Sequence, residues 1–253
     1  MPKKVLLLLF FFSGNACFLF AQKIDSIRSV RHFSGNASLT NNGISLIPSF
    51  SLSKPAAVFN MSVGNKLSFE PEFAFSLEGK PWYSIFWFRY KLINTDKFKI
   101  NAGIHLGLNY KDALLHLNRD STTIKTVDRY LVAELAPSYS ITKNTSVGIY
   151  YLHSRGLDRS ANQMLNFITI NANFSNIKLT DKLFIRVAPQ FYYMNVDDGN
   201  GFYFTSSFTL ARLNFPLSIS SVINKVIQTD ISGKDLVWNV TLTYSFGKRY
   251  VAL

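Results

Sequence analysis

The feature that most constrains this chain is a period of two that persists over segments of about ten residues. In Leu236–Phe246, Leu236, Trp238, Val240, Leu242, Tyr244 and Phe246 fall on one face, and Asn239, Thr241, Thr243 and Ser245 fall on the other. Successive side chains of a strand point to opposite faces, so this pattern is an apolar surface backed by a polar one. It recurs. Leu67, Phe69, Phe73, Phe75 and Leu77 alternate with Ser68, Glu70, Glu72, Ala74 and Ser76. Phe98, Ile100, Ala102, Ile104, Leu106, Leu108 and Tyr110 alternate with Lys99, Asn101, Gly103, His105, Gly107 and Asn109. The same holds for Ile168–Ser175 and Leu183–Tyr193. Soluble sandwiches use strands of about five to six residues; a tilted strand crossing a bilayer needs about nine to eleven.

Composition supports a surface turned to lipid. The chain of 253 residues is 47% hydrophobic, 17% charged and 15% aromatic, with 23 Phe and 12 Tyr. Soluble domains carry about 25% charged residues. Turn residues at Gly64-Asn65, Glu78-Gly79-Lys80-Pro81, Asn94-Thr95-Asp96, Thr142-Lys143-Asn144 and Asp197-Asp198-Gly199-Asn200 punctuate the runs. Strands are predicted at 43–52, 56–63, 66–77, 82–93, 98–110, 123–141, 145–155, 163–176, 182–196, 201–213, 215–225 and 236–246. That makes about twelve, and an even number is what a single-chain bacterial barrel requires. With the N-terminus on the periplasmic side, the short turns alternate with longer loops at 111–122, 156–162 and 226–235.

The N-terminus reads as a signal peptide over residues 1–21. Lys3 and Lys4 form a positive start, Val5–Phe12 is apolar, and Phe18-Leu19-Phe20-Ala21 leads into polar Gln22. Its removal leaves a net charge of +10 from the +12 of the whole chain. That basic balance suits anionic neighbours, including lipopolysaccharide phosphates. No basic helix or recognition motif points to nucleic acid. Cys17 is the single cysteine and lies in the signal, which leaves no disulfide framework. Residues 22–41 read as a periplasmic lead, 42–247 as the barrel and 248–253 as a tail.

Together these features resemble the Gram-negative outer-membrane β-barrel proteins. The resemblance implies an all-β fold, a transmembrane antiparallel up-and-down barrel. It also implies export to the cell outer membrane, contact with its lipids and lipopolysaccharide, and recognition of the last strand by the barrel-assembly machinery, for which Trp238, Tyr244 and Phe246 match. The tail beyond Gly247 departs from the pattern.

Function is less constrained, because such barrels include pores, enzymes and inert scaffolds. Glu70, Glu72, Arg89, Lys91, His105, Glu134, Arg186 and Gln190 are predicted to line the lumen. If Leu77 pairs with Trp82, Glu70 lies directly opposite Arg89, Glu72 opposite Trp87 and Ser68 opposite Lys91. This array suits a narrow channel or a passive envelope component with a charged lumen. His153 and Ser154 are the candidates for a second reading, a hydrolase of lipids or lipid A, although neighbours in a regular strand point to opposite faces. A third reading is an adhesion or assembly scaffold presenting the long loops. No cofactor is implied. The carboxylates of Asp197-Asp198 sit in a turn that needs no metal, and no metal site is expected.

Overall fold

The computed structural model describes residues 30–117 and 120–251. The signal peptide read at 1–21, the first part of the lead and the last two residues of the tail lie outside the described residues. Twelve strands close into one antiparallel barrel in sequence order. They are β1 Val30–Thr40, β2 Ala56–Gly64, β3 Leu67–Ser76, β4 Pro81–Asn94, β5 Phe98–Leu117, β6 Asp120–Ser140, β7 Thr145–Gly156, β8 Met164–Lys178, β9 Leu183–Val196, β10 Gly199–Arg212, β11 Leu217–Thr229 and β12 Leu236–Val251. No helix among the described residues is long and apolar enough to cross a membrane; the strands supply an apolar exterior instead. Leu39, Phe59, Ile104, Leu131, Ile149, Ile170, Phe191, Ile219 and Leu242 all point outward and are exposed. Neighbouring outward rings pair across strands, as in Phe69–Phe88, Phe73–Phe86 and Phe191–Phe204. Cross-strand aromatic pairs of this kind stabilise a sheet.

The first strand is not where the alternation places it. β1 occupies 30–40, inside the segment read as a periplasmic lead, and 43–52 is not a strand. Residues 30–40 contain Arg31, His32, Ser34, Gly35 and Asn36 and look too polar to be membrane strand. Only Phe33, Gly35, Ala37 and Leu39 need to face outward. Gly35 is paired with Phe246, and a Cβ there would meet the Asn60 carbonyl oxygen at 2.5 Å and the Phe246 ring at 2.7 Å. The Phe246 ring covers what the glycine leaves bare. Residues 43–52 alternate for another reason: Ile44, Leu46, Ile47, Phe50 and Leu52 face into the barrel, and Pro48–Phe50 forms a 3-10 turn.

Two other boundaries move. The tail read at 248–253 continues β12 to Val251, because β1 begins early enough to pair with it from Val30↔Val251. The loop read at 111–122 is mostly strand: β5 and β6 pair as far as Leu117↔Asp120. They are 20 and 21 residues long, and the hairpin is clasped by Lys111–Asp128 and Lys125–Asp112, both at 2.6 Å. The loop read at 226–235 begins only after Thr229. The ends of the described residues, Val30 and Val251, pair at one end of the barrel, here called the terminal end, and the turns there are short, at 65–66, 95–97, 141–144, 179–182 and 213–216. The opposite end carries 41–55, 157–163 and 230–235, but also the tight turns 77–80 and 197–198.

Two predictions follow from this layout. Ile170, 68% exposed at the middle of β8, faces outward, whereas its neighbour Asn171 faces the lumen. Ile170→Arg is expected to lower stability in lipid vesicles by about 2–4 kcal/mol, and Asn171→Arg by much less, read from urea unfolding. At the loop end, the Arg129 guanidinium and backbone N–H each bond Asp158 at 2.7 Å and hold its carboxyl below the usual range. A depressed folded value means that the contact contributes fully above the unfolded carboxylate range, about pH 4. It is lost as pH falls through the lower folded value. Amide-exchange protection of 157–163 should therefore drop on acidification below about pH 4 in the parent, and be low at every pH in Asp158→Asn.

Candidate functional site

The lumen has two unlike halves. Toward the terminal end it is polar, and its centre is an ion cluster. Arg89 Nη1 lies 2.5 Å from Glu70 Oε2, and Arg89 Nε lies 2.6 Å from Glu134 Oε1. Ser68 Oγ donates to Glu70 at 2.7 Å, Tyr150 Oη donates to Glu134 at 2.7 Å, and the guanidinium carbon lies 4.1 Å from the centre of the Trp87 ring.

Register explains this cluster. Ser68, Arg89, Gly103 and Glu134 form one row across β3, β4, β5 and β6. Arg89 reaches Glu134 over the bare backbone of Gly103. A Cβ at Gly103 would stand 2.9 Å from Glu134 Oε1 and 3.1 Å from Arg89 Cγ. The sequence shows Gly103 only as a small member of an alternating run; its role appears when β4 and β6 flank it.

The pairing of Glu70 directly across from Arg89 is corrected. Glu70 pairs with Trp87, Glu72 with Ile85 and Ser68 with Arg89. The turn at 77–80, with Gly79 at φ 80°, and a bulge between Ala74 and Phe75 shift the register by two residues. Because the side-chain period is two, an even shift keeps every residue on its face. Glu70 and Arg89 therefore still meet, diagonally.

The other predicted lumen residues are spread out. Glu72 accepts a hydrogen bond from Tyr83 Oη, one step toward the loop end. His105 packs edge-on against Trp87, with ring centres 4.1 Å apart. Lys91 and Arg186 are exposed near the terminal end, and neither makes an ion pair among the described residues. Arg186 and Gln190 stand on β9, away from the cluster, beside a space of about 570 Å³ also lined by Asn171, Thr205, Ser207 and Asn239. A second polar space of about 340 Å³ adjoins Asn36, Asn60, Glu70 and Arg89.

Toward the loop end the lumen is occupied in large part by one connecting segment, which leaves smaller spaces beside it. Residues 41–55 fold inward and pack on three apolar clusters. Leu46 and Ile47 lie against Leu165, Phe167, Tyr192 and Tyr203; Phe50 lies against Trp87 and Tyr130; Leu52 lies against Ala56 and Trp82. Polar tethers hold the segment from several sides. Trp82 Nε1 donates to the Phe50 carbonyl at 2.8 Å, Asn162 Nδ2 to Ser49 Oγ at 3.1 Å and Asn239 Nδ2 to the Asn42 carbonyl at 3.3 Å. Burying those side chains removes apolar area from water at about 25 cal/mol per Å², which favours the inward position. Among the described residues no three His, Cys, Asp or Glu side chains gather as a metal site. Asp197, in its turn, accepts from the Met164 N–H at 2.8 Å.

The structure sets His153 and Ser154, the pair named for a hydrolase, apart. β7 pairs with both neighbours around these residues without a register shift. Ser154 is buried in the lumen, and His153 lies on the outward face, where its Nδ1 is 2.9 Å from Asn166 Oδ1. A regular strand keeps adjacent side chains on opposite sides of the wall, so the two cannot share a proton.

The cluster makes a direct prediction. Arg89→Met leaves Glu134, buried, facing Glu70 without its partner. The expected loss is about 2–4 kcal/mol, below the full cost of an orphaned buried pair because Arg89 is 31% exposed. Gly103→Ala should cost about 1–3 kcal/mol by crowding, without removing a charge; urea unfolding in vesicles measures both.

No family model matches the sequence, and no curated protein matches it. Solved structures do match in fold. The KdgM porin aligns with a TM-score of 0.51 at 11% identity, over 85% of this chain and 99% of that one. The NanC porin aligns at 0.46 and 11%, over 89% and 100%. LpxR from Salmonella typhimurium aligns at 0.47 and 11%, over 84% and 99%. With its closed antiparallel wall of twelve strands and an apolar exterior, the chain has the architecture of the Gram-negative outer-membrane β-barrel proteins.

Proposed function

We propose that this protein is a narrow outer-membrane channel for small polar solutes, held closed at its outer end by its own residues 41–55. The observation that carries the reading is the contrast within the lumen. Polar, unfilled space lined by Asn171, Arg186, Gln190, Glu70 and Arg89 extends from the terminal end. It stops where Ile44 and Leu46 enter from the inserted segment. An inert peg has no reason to keep a polar half unfilled, since close packing of that half would add stability. The shared fold does not argue for transport, because one fold serves many functions. The support is the lumen itself.

In this reading the terminal end is periplasmic and the segment 41–55 sits at the extracellular mouth. Arg89, flanked by Glu70 and Glu134, forms a layer with one excess negative charge in the polar half, and such rings sort ions. Lipopolysaccharide and outer-membrane lipids surround the barrel, and the barrel-assembly machinery reads β12 during insertion. The hairpin of β5 and β6 favours a second role, as a platform for partners, because it outreaches the other strands.

Planar-bilayer recording tests the proposal. The parent should give small, intermittent conductance. Replacing 43–52 by a short Gly-Ser link should raise it several-fold, and Arg89→Gln in that background should raise the cation-over-anion permeability ratio. A folded, loop-shortened barrel that carries no current at any salt concentration would remove the channel reading.

A further inference from the structure

A separate cavity of about 310 Å³ lies between the inserted segment and the wall formed by β4, β5, β6 and β7. It is bounded by Ile47, Phe50, Trp82, Trp87, Tyr130 and Leu152, and is almost wholly apolar. An apolar cavity of about 150 Å³ is enough to take up benzene. Ligand sites pair such walls with a few placed polar atoms.

Two polar atoms here are poorly satisfied. His105 is 8% exposed and Tyr130 is 4% exposed, yet among the described residues His105 Nδ1 and Tyr130 Oη have no partner of full hydrogen-bonding geometry, only weaker approaches to the backbone of Leu106 and Asn162. A buried polar atom left unpaired costs about 1–3 kcal/mol. The strand register brings these side chains together, since Gly107 lies two residues beyond His105 and pairs with Tyr130. Gly107 leaves open the space that His105 Nδ1 faces: a Cβ there would lie 3.4 Å from that nitrogen and 3.8 Å from Tyr130 Cβ.

We infer that this cavity is a binding site for a neutral one- or two-ring aromatic molecule bearing a hydroxyl group. Aromatic walls at Trp82, Trp87 and Phe50 offer faces and edges to a ring. A hydroxyl both donates and accepts, so it satisfies His105 Nδ1 in either neutral tautomer and can still engage Tyr130 Oη. The apolar walls select against ions of either sign, because burying an unpaired charge costs far more than burying a hydroxyl. The site does not depend on conduction, because its walls belong to the loop-end half of the lumen.

Two probes with one ring system decide the matter: 2-naphthol and naphthalene. Trp238 faces outward and is 53% exposed, so Trp238→Phe leaves Trp82 and Trp87, both on the cavity, as the remaining tryptophans. In the full chain carrying that change, folded in detergent, 2-naphthol should quench tryptophan emission saturably at one per barrel. Naphthalene should bind about tenfold more weakly, the worth of one hydrogen bond. His105→Phe keeps a ring against Trp87 but no nitrogen, and should erase that preference. Ser154→Phe, or Val132→Phe if the first does not fold, should fill the cavity and abolish saturable quenching. Quenching that rises linearly and equally in the parent and the filled variants is uptake by detergent and overturns the site. A His105→Phe protein that still prefers 2-naphthol tenfold overturns the assigned contact.

Discussion

The structure depends on the pairing of β1 with β12. In hydrocarbon no water is present to satisfy a backbone N–H or C=O, so a sheet that spans a membrane must have no free edge. Here the last edge is satisfied by Val30–Thr40 against Thr241–Val251. The demand is for backbone, not for side chains, and that is why a segment as polar as Arg31–Asn36 can serve. Gly35 and Phe246 show the local solution: the glycine lets β2 and β12 approach, and the ring restores the apolar surface that the missing side chain would have supplied.

Closure creates a second problem, which is the inside. Twelve strands enclose more space than their inward side chains fill, and the two halves meet this differently. The loop-end half is occupied by 41–55, whose Leu46, Ile47, Phe50 and Leu52 pack on three separate clusters on the wall. The terminal half is left polar, and its charges pair across the strands. Arg89 serves two carboxylates only because Gly103 stands between it and Glu134 without a side chain. A charged lumen and an apolar core thus coexist in one barrel, divided by where a single connecting segment folds.

Much of this was legible beforehand. Alternation in β3, β5, β8, β9 and β12 assigned faces correctly, and even the wrong register for β3 and β4 kept Glu70 and Arg89 on one side, because the error was two residues. The adjacency of His153 and Ser154 already argued against a shared site. Misreadings came where side-chain pattern and backbone need diverge. Residues 43–52 carry an apolar alternation that belongs to a lumen insert, and 30–40 carry a weak one that belongs to a strand.

The sequence by itself determined the class of fold and the two faces of its wall, because the strand period is local and each residue carries its own side of the pattern. Tertiary structure alone decided which segments close the ring, how far each strand is displaced along its neighbour, and what fills the middle. Those depend on contacts between residues far apart in the chain, such as Gly35 with Phe246, Arg89 with Glu134 and Phe50 with Tyr130. The strand Leu236–Phe246 could be read from its own residues; the partner that closes it could not.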